Sequence, residues 1–97
     1  MEKKFQAASK QIANLIINAT PKDNISYHLM LSINKGMPIG FGATLWDSAT
    51  GEEALESCYI VFDYCDTDNS ITKKITKITN IINGEIDPFE EARDERK

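Results

Sequence analysis

The chain has 97 residues, 41% of them hydrophobic and 27% charged, with a formal net charge of −4. That is one domain's length, an ordinary globular composition rather than a disordered one, and too little positive charge for a broad nucleic-acid-gripping face. The longest apolar runs, such as Leu15-Ile16-Ile17, cannot span a bilayer, the start Met1-Glu2-Lys3-Lys4-Phe5 lacks an apolar signal core, and two cysteines make no disulfide framework, so a soluble cytoplasmic protein is expected.

Residues 3–19 have helical periodicity, with Phe5, Ala8, Ile12, Leu15, Ile16 and Ala19 on one stripe. Thr20-Pro21 ends the element, because a residue before proline avoids the helical region. Pro21-Lys22-Asp23-Asn24 reads as a turn. From Ile25 the period becomes two: Ile25, Tyr27, Leu29, Leu31 and Ile33 alternate with Ser26, His28, Met30, Ser32 and Asn34, which predicts a strand. Residues 34–38 form a loop, with Pro38 at or before the start of the next strand. There Ile39, Phe41, Ala43 and Leu45 alternate with Gly40, Gly42, Thr44 and Trp46. A turn over 47–51 follows, and Glu52 to Leu55 fits either a longer loop or a helical turn. Residues 56–65 read as a third strand, apolar on both parities.

Asp66-Thr67-Asp68-Asn69-Ser70 supplies a turn and an N-cap, either Asp68 or Ser70. Ile71, Ile75, Ile78 and Ile82 then mark an amphipathic helix, and Asn83-Gly84 is its stop. Its β-branched residues lower its intrinsic propensity, so it depends on packing. Asp87-Pro88-Phe89-Glu90 has the order of a fresh helix start and predicts a short helix over 88–95. Short connections favour an antiparallel meander. The expected fold is α+β: a two-layer αβββα sandwich in which two helices cover one face of a three-stranded antiparallel sheet. The domain would span 1–84, with 85–97 an acidic tail. The predicted core is Phe5, Ile12, Leu15, Ile16, Leu29, Leu31, Phe41, Leu45, Ile60, Phe62, Ile75, Ile78 and Ile82.

If that core faces the helices, the other sheet face carries His28, Met30, Thr44 and Trp46, with Tyr59, Val61, Asp63 and Cys65 from the third strand. Met, Trp and Tyr are enriched at interface cores, and an exposed apolar patch of this kind marks a partner. A second copy of the chain, joined through this face into a homodimer, is the simplest one. Addition of a strand at a sheet edge is a less specific route. Two alternatives stand against an open patch: a reversed third strand, or a tail that folds Ile86 and Phe89 over it. Gly40 and Gly42 leave the second strand's outer surface flat, open to Trp46 or to a partner's side chain.

Charge is segregated. Residues 47–68 hold Asp47, Glu52, Glu53, Glu56, Asp63, Asp66 and Asp68 with no Lys or Arg, and the tail from Glu85 carries six acids against three bases. Such a field repels polyphosphates and steers basic surfaces. It serves equally to keep a small protein soluble.

Chemistry has little to work with. His28 is the only histidine, so acid–base schemes near neutral pH must run through it. A Cys58–His28 dyad would need both side chains on one face, and the alternation puts them on opposite faces. Cys58 and Cys65, seven residues apart in extended chain, are too distant to bond to each other. Asp63, Asp66, Asp68 and Asn69 fail the calcium-loop pattern, because its glycine and glutamate positions fall on Ile71 and Lys77. No glycine-rich phosphate loop precedes a helix, and no metal or cofactor is expected.

Lys73-Lys74-Ile75-Thr76-Lys77 opens the last long helix. This basic start and the αβββα order resemble the double-stranded RNA-binding domain, in which a KKxAK-type helix start holds phosphates. Thr76 stands where that motif has alanine, and the family's GPxH loop is absent. The resemblance implies a nucleic-acid-binding alternative through Lys73, Lys74 and Lys77. The leading expectation is a non-enzymatic interaction domain, a small acidic regulator or inhibitor of a basic, nucleic-acid-binding partner. Its contacts would be His28, Met30, Trp46, Tyr59 and Val61, bordered by Asp47, Glu52, Glu53, Glu56 and Asp63. Nucleic-acid mimicry, familiar among small acidic proteins of phages and mobile elements, is a specific form of this idea.

Overall fold

The computed structural model describes residues 1–21, 24–46 and 53–89, and only the backbone path at Trp46 and at 53–57. The element order is α1 (Lys3–Ile17), β1 (Ile25–Leu31), β2 (Ile39–Trp46), β3 (Glu53–Phe62) and α2 (Asp68–Ile82). The three strands form one antiparallel sheet in the order β1-β2-β3. This is the αβββα topology that the alternation and the short connections predict.

Boundaries differ in instructive places. α1 stops at Ile17, where the Asn18 N–H and side-chain Nδ2 both donate to the Asn14 carbonyl, so the helix ends two residues before Ala19. β3 begins at Glu53 and ends at Phe62. Residues 53–55 are therefore strand, because hairpin pairing of Glu53 with Trp46 extends the ladder past a bulge. Residues 63–65 turn away instead of continuing it, held by Asp63 Oδ1, which accepts the Cys65 N–H at 2.8 Å. α2 starts at Asp68 and its cap is Thr67, neither Asp68 nor Ser70. Thr67 accepts from the Ser70 N–H, and Ser70 accepts from the Thr67 N–H at 2.8 Å. The reciprocal pair satisfies two donors that a bare helix end leaves open. Asn83-Gly84 ends α2 as expected, with Gly84 at φ +81°.

The core lies between the helices and one sheet face. Phe5, Ala8 and Ile12 of α1 meet Ile39, Phe41, Ala43, Ile60 and Phe62 of the sheet and Ile71, Ile75, Ile78, Ile81 and Ile82 of α2. Leu15, Ile16, Leu29 and Leu45 pack partly against it. Leu31 does not belong to it: it sits at the end of edge strand β1 and is 58% exposed. Phe89 completes the core at 1% exposure, placed by an Asx turn in which Asp87 Oδ1 accepts its N–H. Residues 90–97, and with them most of the helix expected over 88–95, lie outside the described residues.

Both helices run in the same direction. At one end, Lys4 near the start of α1 donates to the Asp66 carbonyl just before α2. At the other, Asn18 and Asn83 line a common groove after the two helices end.

Candidate functional site

The register builds the uncovered sheet face row by row. His28 pairs with Gly42, which pairs with Tyr59; Met30 pairs with Gly40, which pairs with Val61. Side chains alternate across a strand, so these residues share the face away from the helices. Ile60 and Phe62 point into the core and Tyr59 and Val61 point out, so the third strand, apolar on both parities, has the facing taken for the open patch and not the reversed one. Met30, Tyr59 and Val61 are 50%, 55% and 41% exposed. Neither of the two tail residues expected to fold over them does so, because Phe89 is buried in the helix-side core and Ile86 is exposed.

The two glycines are not bare floor for Trp46 or a partner. His28 lies over Gly42, and a Cβ added there would come within 2.6 Å of its Cδ2. Met30 lies over Gly40, its Cε 3.1 Å from the position of such a Cβ. The missing side chains of β2 let two from β1 lean across it. The imidazole thereby reaches Tyr59, the ring centroids 6.3 Å apart and tilted by 60°. The result is a low apolar surface reaching from β1 to β3.

Of the expected border, Asp63 is half-buried at the end of β3. Asp47 and Glu52 lie outside the described residues, as do the side chains of Trp46, Glu53 and Glu56. The backbone places Glu53 opposite Trp46, at the hairpin end of the sheet.

Asp66 differs in kind from the neighbouring acids Asp63 and Asp68. It is 7% exposed, and its carboxylate accepts from Lys74 Nζ at 2.7 Å, Ser70 Oγ at 2.7 Å and the Asp63 N–H at 2.9 Å. Burial alone would push its carboxyl up. The hydrogen bonds from Lys74, Ser70 and the Asp63 backbone, with the Lys74 charge, outweigh that and hold it below the usual carboxylate range. Lys74 also donates to the Val61 carbonyl at 2.8 Å and lies 5.4 Å from the Phe62 ring centroid. Its charge is thus directed inward. Lys73 and Lys77 are exposed one turn apart, in the second and third turns of α2 rather than at its start. The sequence reading missed this hub; its signal was an acid four residues before Ser70 and eight before Lys74, which one turn leading into a helix brings together.

Cys58 faces the helices and His28 the open side, so they form no dyad, and neither Cys58 nor Cys65 is joined in a disulfide. No cluster of three or more metal-ligating side chains occurs among the described residues, and no described helix is long and apolar enough to cross a membrane. A groove of about 940 Å³ at the α1 start is lined by Phe5, Leu31, Ile33, Pro38 and Tyr64 among others. No protein-family model matches the sequence, and comparison with curated proteins and with solved structures gives no significant match.

Proposed function

We propose that the domain is a non-enzymatic interaction module that docks its open sheet face on a basic protein and so regulates or inhibits it. The observation that carries this reading is the exposed row of Met30, Tyr59 and Val61 on a face that the chain's own helices and Phe89 leave open. Apolar surface gathered on one side of a small domain favours contact with a partner. The partner's sign follows from charge: residues 47–68 carry seven acids and no base, against a net charge of −4. Long-range attraction then selects a basic surface, such as one that handles nucleic acid, and the apolar row supplies the short-range contact.

The test is affinity capture from the source cell with wild type and a Tyr59→Glu/Val61→Glu double variant, each captured protein being identified. The expected result is a basic protein held by wild type, released by high salt and absent from the double variant. Capture of the same set by the double variant overturns the reading. So does salt-sensitive binding of duplex RNA that a Lys73→Glu/Lys77→Glu variant loses, which would instead place the function on the helix. A doubled mass lost only with the face variants would assign the same face to a second copy.

A further inference from the structure

The turn that ends α2 contains the one Asn-Gly step of the sequence, Asn83-Gly84. Asn83 is exposed. Gly84 follows it at φ +81°, with no described atom within 4 Å of the place a Cβ would take. Asparagine before glycine is the pair in which a backbone nitrogen most readily reaches a side-chain amide. Glycine has no side chain to crowd the approach, and its backbone turns freely.

The same turn holds that nitrogen away. Asn83 keeps helical backbone angles, with ψ at −5°. Closing a five-membered ring through its side chain needs the Gly84 nitrogen swung round to Cγ, at a ψ far from that value. Hydrogen bonds oppose the swing. The Asn83 N–H donates to the Thr79 carbonyl at 3.0 Å and the Gly84 N–H to the Ile81 carbonyl at 3.1 Å. The Glu85 and Ile86 N–H groups both donate to the Asn80 carbonyl, at 2.9 and 3.2 Å. Beyond them Phe89, buried in the core, anchors the chain that leaves the turn. Helix ends open more often than the domain unfolds, so these bonds make a local gate.

We propose that Asn83 is a self-modification site, a deamidation gated by the cap of α2. When the cap opens, the Gly84 nitrogen attacks Asn83 Cγ. The new N–C bond forms as Cγ–Nδ2 breaks, and ammonia leaves with the proton that the Gly84 nitrogen gives up. Water then opens the succinimide at either carbonyl and leaves an aspartyl or isoaspartyl residue at position 83. Either product puts a carboxylate at the negative end of the α2 dipole, where it is unfavourable. The isoaspartyl form also adds a methylene to the main chain between α2 and Phe89. Both changes weaken the cap. The domain thus carries a timer that advances while its C-terminal turn is open and rests while it is closed.

The test holds the full chain in mildly alkaline buffer, folded and in urea, and follows position 83 by peptide mass and isoaspartyl methylation. Conversion at Asn83 is expected in both, at least about tenfold slower in the folded chain. Asn83→Gln should stay unconverted at that position. Phe89→Ala and Lys74→Met lose similar stability, but only the first frees the turn, so Phe89→Ala should convert several times faster. If Phe89→Ala does not fold, amide exchange of wild type reads the gate instead. The Gly84, Glu85 and Ile86 amides should exchange well before those of Ile75 and Ile78. The aged, purified product should unfold at lower urea than fresh protein. Equal rates in the folded chain and in urea overturn the proposal. So do equal rates in the two variants, a Gly84 amide as slow as that of Ile78, or an aged product with an unchanged midpoint.

Discussion

The imidazole of His28 occupies the space that a side chain on Gly42 would need, with Cδ2 and Cε1 within 2.6 and 2.9 Å of an added Cβ. Gly42→Ala must therefore push the ring off the strand and away from Tyr59. The expected loss is about 1 kcal/mol. In a His28→Ala background the same change should stabilise by about 0.5 kcal/mol, since alanine orders a strand more cheaply than glycine. A double-mutant cycle by urea denaturation reads this reversal of sign; two losses of equal size would show that the ring and the glycine are not coupled.

Asp66 links the end of β3 to α2 and, through its carbonyl, to Lys4. Lys74→Met strands the buried carboxylate and should cost about 3 kcal/mol. Because the folded carboxyl lies below its ordinary value of 3.8, its contribution is fully present above that value. It is lost as pH falls through the folded pKa. Urea midpoints between neutral and strongly acidic pH should drop in wild type, and Asp66→Asn should flatten that part of the curve. An unchanged acid limb in Asp66→Asn would remove Asp66 as its cause.

The cap of α2 is assigned by its hydrogen bonds. Thr67→Ala should cost about 1 kcal/mol. Asp68→Ala, which loses only a favourable charge in the first turn, should cost about 0.3 kcal/mol. Thermal melts followed by circular dichroism rank the two, and the reverse order would contradict the observed capping box.

Leu31 and Phe89 exchange the roles that position in the chain suggests. Leu31 is 58% exposed and Phe89 1%. Leu31→Ala should change stability by less than about 0.5 kcal/mol, and Phe89→Ala should cost about 3 kcal/mol or more. Denaturant midpoints of the two variants check this directly.

Periodicity made most of the architecture legible. Two alternating segments and a third apolar one between two helical stripes left few ways to arrange the elements, but the third strand is apolar on both parities, so only the structure shows that Ile60 and Phe62 face inward. Periodicity does not report the reach of a side chain across a neighbouring strand. The fit of His28 over Gly42 and of Met30 over Gly40 needs the register, and no local pattern encodes it. Nor does it separate an acid in solvent from one at the centre of a network. Asp63, Asp66 and Asp68 look alike in sequence, and only the turn after β3 directs the Asp66 carboxylate toward Lys74. Leu31 was misplaced for a related reason: alternation gives the face of a strand residue, whereas burial also needs a neighbour beyond it.

Phe89 enters the hydrophobic layer from seven residues beyond the end of α2. A ribosome therefore delivers α1, the three strands and α2 before it delivers the ring that seals them. Until then the newly made polypeptide has its secondary structure but an unfilled gap, and a message cut short just after Gly84 would yield a loosened, protease-sensitive product.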